Sequence, residues 1–121
     1  MTGKMLWTDL TVNDADQIRD FYSNVVGWTY KGISMGDYED YEMKMPENGE
    51  TVTGICHRRG PNSKLPAQWM VYFTVANVAE SAEKCLSVGG KILDGPRLMG
   101  KQQFCVIQDP AGAVCALISE Q

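Results

Sequence analysis

The sequence predicts an α+β domain of two βαβββ modules pairing around a shared cleft. Three observations predict it. The order of strand, capped helix, glycine, strands and proline turn occurs twice along the chain. Each half holds one amphipathic helix with a polar cap before it and glycine after it. A run of turn chemistry, GPNSKLPAQ at residues 60–68, lies between the halves. All 121 residues fall in one domain, with a first module over about 4–59, the linker at 60–68 and a second module over about 69–120.

The elements follow in order. Met5 to Val12 alternates as a strand does. Asn13 and Asp14 suit a helix N-cap, and Ile18, Phe21, Tyr22, Val25 and Val26 then form one apolar helical stripe, closed by Gly27. Trp28 to Ile33 reads as a strand. Asp37 to Met45 alternates again, with Tyr41, Met43 and Met45 on one parity and Asp40, Glu42 and Lys44 on the other, the pattern of an exposed strand face. PENGE at 46–50 is a turn, and Thr51 to Arg58 is a strand.

After the linker, Trp69 to Val75 is a strand. Asn77 caps a helix whose apolar face is Val78, Ala82, Cys85 and Leu86, and Gly89 and Gly90 end it. Lys91 to Leu93 and Phe104 to Ile107 are strands, with DGPRLMGK read as the loop between them. DPAG at 109–112 is a tight turn before a last strand over Ala113 to Ser119. Val12 and Val75, Gly27 and Gly90, Thr11 and Thr74, and Asp14 and Asn77 are each 63 residues apart. A half this short cannot cover both faces of its sheet. Pairing two halves leaves helices on one side and a concave face on the other.

Composition narrows the function. Hydrophobic residues are 44% and charged residues 21%, which is ordinary globular composition. The net charge of −4, with no basic stripe, points away from nucleic acid. No segment has the length and apolarity of a membrane span or a signal peptide, so a cytoplasmic protein is expected. Cys56, Cys85, Cys105 and Cys115 form no C-x-x-C pair and sit in apolar runs, as small core residues do in a reducing compartment.

Three runs carry a family resemblance: LTVNDADQIRDFYSNVVGW (10–28), WMVYFTVANVAESAEKCLSVGGKIL (69–93) and DPAGAVCALI (109–118). With V-x-D, FY and GW early and DP-x-G-A late, the chain resembles the glyoxalase/bleomycin-resistance/dioxygenase group, the vicinal oxygen chelate superfamily. It is closer to glyoxalase-related sequences with a DP-x-G-A-x-x-A-L ending than to true glyoxalase I. The resemblance implies a glyoxalase/bleomycin-resistance-like fold, commonly dimeric, with modules paired within one chain or across two. A homodimer is the expected assembly.

The resemblance also implies four positions for metal ligands, on the first and last strand of each half. Here they fall on Trp7, Thr53, Met70 and Ala116. A divalent cation needs carboxylate, imidazole or amide donors, so no metal cofactor is expected. By alternation the cleft is lined by Trp7, Asp9 and Thr11, by Thr53, Ile55 and His57, by Met70, Tyr72 and Thr74, and by Val114, Ala116 and Ile118. The ligand-binding candidates are Trp7, Thr53, Met70, Tyr72 and Ala116. Such a lining suits a small, planar or partly apolar organic molecule, and an equally direct reading makes Trp7, Met70 and Tyr72 core filling. Arg97 and Lys101, in the loop before the seventh strand, read either as partners for an anionic group at the rim or as plain surface charge.

Three functions are open to these residues. One is metal-free binding of a small molecule, as the bleomycin-resistance proteins of the superfamily show. Another is an enzyme of lyase or oxidoreductase type, with Asp9 and His57 as an acid–base or metal-holding pair and Glu42 as a neighbour. A partner-binding role without ligand chemistry is the third.

Overall fold

The computed structural model describes residues 1–120. The chain divides into two compact units, one over Asp9–Trp69 and one formed by the residues from Met70 onward together with Met1–Thr8. Both are of mixed α+β character, each with one helix packed on a sheet of parallel and antiparallel strands.

The first unit contains the end of β1 (Met5–Val12), α1 (Ala15–Val26), β2 (Thr29–Ser34), β3 (Glu39–Lys44) and β4 (Thr51–His57). Its strand order is β2-β3-β4-β1. β1 and β4 run parallel and the other pairs antiparallel. Asp14 caps α1 by accepting from the Gln17 amide at 3.1 Å, and Gly27 ends the helix at φ 92°. That left-handed conformation is one glycine adopts without a Cβ penalty.

The core of this unit joins α1 to one face of its sheet. Leu10, Tyr41, Met43 and Ile55 pack with Ala15, and Val12, Ile18, Tyr22, Trp28 and Trp69 complete the layer. Tyr22 is central: its ring lies edge-on to Trp69 at 5.2 Å, and its hydroxyl accepts from the Trp69 indole at 3.1 Å. The stripe expected on α1 is corrected here. Phe21 and Val25 are 53% and 65% exposed, and Val26 is exposed too. The inward set is Ala15, Ile18 and Tyr22. Ala15 lets the first turn approach the sheet closely. Arg19 covers the neighbouring ground, with its guanidinium 4.5 Å from the Tyr30 ring centre and 4.7 Å from that of Tyr41.

The second unit contains β5 (Trp69–Val75, less Trp69), α2 (Val78–Ser87), β6 (Lys91–Met99), β7 (Gln102–Gln108) and β8 (Val114–Ser119). Its strand order is β5-β8-β7-β6, with β5 and β8 parallel. Asn77 caps α2 by accepting from the Glu80 amide at 3.0 Å. Val78, Ala82, Cys105 and Leu117 form the core under α2, joined by Phe73, Val75, Ile92 and Ile107. Leu86, expected on the packed face, is exposed. The N-terminal residues belong to this unit through backbone bonds: Gly3 N–H donates to Thr74 O at 2.7 Å, and Thr74 N–H donates to Lys4 O at 2.9 Å.

The segment read as a loop before the seventh strand is strand. β6 runs through DGPRLM to Met99, and only a tight turn at Gly100 and Lys101 separates it from β7. Two bulges, between Ile92 and Asp94 and between Asp94 and Arg97, break its alternation and hide it from a period-of-two reading.

Ile55 is fully buried in the α1 core. Ile55→Ala is expected to destabilise the protein by about 2–5 kcal/mol in a urea titration, the range for deleting a buried aliphatic side chain.

Candidate functional site

Strand pairing decides which side chains share a face. β1 and β4 pair as Asp9 with Gly54, Leu10 with Ile55, Thr11 with Cys56, and Val12 with His57. Paired residues on neighbouring strands project to the same side. Leu10 and Ile55 lie in the core under α1, so Val12, His57 and Thr53 face α1 as well. Asp9 and Thr11 face the opposite way, with Gly54 and Cys56.

This corrects the expected lining. Thr53, Ile55 and His57 do not share a face with Asp9, and Asp9 and His57 are not an acid–base pair. The reason is register. The expected lining rested on a uniform 63-residue offset, but Tyr72 pairs with Ala116 as Asp9 pairs with Gly54. Gly54 and Ala116 are 62 residues apart. A one-residue slip sends every side chain of the strand to the other side.

The far face of the first unit, turned from α1, is polar. Glu42 pairs with Gly54, which pairs with Asp9, so a glycine separates two carboxylates across three strands. Two strand spacings set their Cα atoms about 10 Å apart. A Cβ at Gly54 would stand 3.6 Å from the Asp9 Cβ and 3.6 Å from the Tyr41 carbonyl oxygen. Glu42 is held by its own neighbours: Lys44 Nζ lies 3.5 Å from its carboxylate, and Thr51 Oγ1 donates to it at 3.4 Å. Lys44 Nζ also donates to Thr51 Oγ1 at 2.9 Å.

Asp40, expected on an exposed face, is buried and accepts from the His57 backbone N–H at 2.8 Å. Burial pushes the Cys56 thiol far up from its ordinary pKa, and the carboxylates of Asp40 and Asp9 push it the same way. Both effects favour the neutral thiol of Cys56.

His57 sits in a separate cluster beside α1. Its Nδ1 is 2.8 Å from the Glu39 carbonyl oxygen, which requires the proton on Nδ1. Its Nε2 is 3.6 Å from Asp16 Oδ1, and the Tyr38 and Tyr41 rings lie 5.4 and 6.4 Å away. The Tyr41 hydroxyl donates to the Asp16 carboxylate. Burial raises the Tyr41 pKa to about 12, with the Asp16 hydrogen bond acting in the same direction.

In the second unit the expected residues do come together. Tyr72 pairs with Ala116, Ala116 with Val106, and Val106 with Asp94. Thr74, Ile118, Phe104 and Arg97 form the next row, and Met70 has the parity of Tyr72. These side chains point away from α2. The Tyr72 and Phe104 rings are 5.7 Å apart, and Arg97 lies over Phe104 at 4.8 Å. Trp7, on β1, has the parity of Asp9.

Sequence reasoning missed Gly54, Cys56, Asp40, Phe104 and Asp94. Gly54 carries no side chain to notice, and Asp94 is placed by a bulge. For Asp40 and Cys56 the signal was present: their parity is opposite to that of Tyr41 and Ile55, which are both apolar and buried.

A family model for the glyoxalase/bleomycin resistance protein/dioxygenase superfamily matches residues 4–117. The chain belongs to that superfamily. Among similar proteins is the anthracycline biosynthesis protein DnrV of Streptomyces peucetius, 27% identical over 131 residues, covering 95% of this chain. The chain spans 46% of that protein's length. Lactoylglutathione lyase of Shigella flexneri is 28% identical over 126 residues, covering 98% of this chain and 93% of the lyase. A solved methylmalonyl-CoA epimerase in complex with methylmalonyl-CoA and ammonium shares the fold, with a TM-score of 0.57, 14% identity, and coverage of 98% of this chain and 95% of the epimerase.

The superfamily's metal-ligand positions read Trp7, Gly54, Met70 and Ala116 once the register of β4 is corrected. Glycine and alanine have no donor atom, the indole N–H is a donor of protons only, and a thioether is too soft for hard cations. This residue set does not fit a divalent metal. Among the described residues no group of three or more His, Cys, Asp or Glu could hold a metal ion. No helix of the described residues is long and apolar enough to cross a membrane.

A tyrosine whose folded pKa is raised stabilises the fold below its unfolded pKa and loses that contribution as pH rises through the folded value. Tyr41 therefore predicts a fall in stability from about pH 10 to about pH 12. The part of that fall due to this residue disappears in Tyr41→Phe, measured as melting temperature against pH.

Proposed function

We propose that this chain is a metal-independent member of the superfamily that binds a small, planar or partly apolar organic molecule on the strand faces turned from its helices. The observation that carries the reading is the register that puts Gly54 beside Asp9 and Ala116 beside Tyr72. Where a metal-using relative would need donors, this chain has a hydrogen atom and a methyl group. The face of the first unit turned from α1 offers polar groups that can orient an organic molecule, with the carboxylates of Asp9 and Glu42 on either side of a glycine.

The similarity to anthracycline biosynthesis proteins supports a fused aromatic molecule as the first probe. A second reading is an enzyme that moves protons without a metal. Its support is Glu42, held by Lys44 and Thr51 on the same face as Asp9. Glu42→Gln separates the two: loss of turnover with ligand affinity retained supports the enzyme, and unchanged behaviour in both supports binding alone.

The expected result of a thermal-shift titration with an anthracycline is a rise in melting temperature that EDTA does not alter. Saturation at 100 times Kd corresponds to about 2.7 kcal/mol. Stoichiometric metal in the purified protein, with ligand binding lost on chelation and restored by that metal, would overturn the proposal.

A further inference from the structure

β2 ends the strand order of the first unit, and β6 that of the second. The two outer strands differ. β6 carries two bulges and Pro96, which has no N–H to offer. Natural sheets blunt an outer strand in these ways against pairing with another chain. β2 has neither device. Its six residues, Thr29–Ser34, pair with β3 in one unbroken register. That register says which backbone groups face outward. Met35 N–H donates to the Tyr38 carbonyl at 2.8 Å, one step beyond the Ser34–Glu39 pair. Bonded and non-bonded pairs alternate along an antiparallel ladder. Ser34, Gly32 and Tyr30 therefore occupy non-bonded pairs, and their N–H and C=O groups point to the outer edge.

Gly32 is the middle residue of those three. It pairs with Tyr41, on the α1 side of the sheet. The Glu39 side chain lies against β2 at this glycine: a Cβ at Gly32 would stand 2.7 to 2.8 Å from the Glu39 carboxylate atoms. Glu39 is exposed. Among the described residues its carboxylate takes part in no hydrogen bond or ion pair.

We propose that the outer edge of β2 docks an extended peptide segment of another protein, which adds as a strand and sets a Lys or Arg opposite Gly32. The inference stands apart from the small-molecule reading and does not rest on it. The outward N–H and C=O groups of Tyr30, Gly32 and Ser34 supply main-chain bonds, the usual source of affinity in strand addition. Residues directly opposite on neighbouring strands share a face, so the side chain facing Gly32 comes to lie beside the Glu39 carboxylate. Gly32 has no side chain to keep it away, and a cation is the partner that carboxylate lacks. Charge also selects against a second copy of this chain. Antiparallel self-pairing centred on Lys31 sets two ammonium groups opposite each other. Centred on Gly32, it brings two Glu39 carboxylates together. Like charges so placed disfavour both registers.

The probe is the capped pentapeptide Thr-Val-Arg-Val-Thr, titrated into the full chain and followed by amide NMR. In an extended peptide its arginine and threonines lie on one side and its valines on the other. Binding is expected to shift the amides of Tyr30, Gly32 and Ser34, to slow their hydrogen exchange, and to leave β6 unchanged. Thr-Val-Glu-Val-Thr should bind about threefold or more weakly, the size of one cross-strand charge pair. Glu39→Gln should remove that preference. Methylation of the arginine backbone nitrogen should abolish binding, because it removes the N–H that the Gly32 carbonyl would accept. Equal affinity for the two peptides, retained binding of the methylated one, or shifts that map away from β2 would overturn the proposal. So would no binding at millimolar peptide, or a dimer of this chain joined through β2. The small-molecule reading stands or falls separately, on its own titration.

Discussion

The parallel pairing of β1 with β4, Asp9 opposite Gly54, is the constraint from which the rest of the first unit follows. It assigns Leu10, Val12, Ile55 and His57 to the side of α1, and Asp9, Thr11, Gly54 and Cys56 to the other. The helix side is an apolar layer closed by Tyr22, Trp28 and Trp69. The far side carries carboxylates, a thiol and hydroxyls. Hydrophobic burial fixes the pairing: a slip by one residue would turn Ile55 out of the core and bring Cys56 and Gly54 into it.

That constraint also separates two pieces of chemistry that look like one on paper. Asp9 and His57 are the carboxylate and the only imidazole of the supposed site, yet the sheet runs between them. His57 is tied to Glu39, Asp40 and Asp16, and it fastens the end of β4 to β3 and to the first turn of α1. Asp9 belongs with Glu42, on either side of a glycine. Gly54 is both the gap between the carboxylates and one of the four positions that lack a suitable donor.

Much of this was legible in the sequence. β1 is bounded as its alternation predicts, and β5 likewise. The caps at Asp14 and Asn77 do what short polar side chains do at a helix start. On β5 and β8 of the second unit the side chains follow alternation directly: Tyr72 pairs with Ala116, and Met70 has the parity of Tyr72. Three things were not legible. The one-residue difference in offset between the halves builds up across bulged strands and turns of unequal length, where periodicity does not mark it. The bulges of β6 interrupt the period that would have announced the strand. On α1, two apolar stripes overlap, and only the fit of Ala15 and Tyr22 against the sheet chooses between them.

The central claim is the register of β4 against β1, and nuclear Overhauser contacts between the two strands test it most directly. The account predicts contacts from the Val12 methyl groups to the His57 ring and from the Thr11 methyl group to the Cys56 β-protons. Contacts from Thr11 to the His57 ring, with none from Val12, would contradict it and return His57 to the face of Asp9.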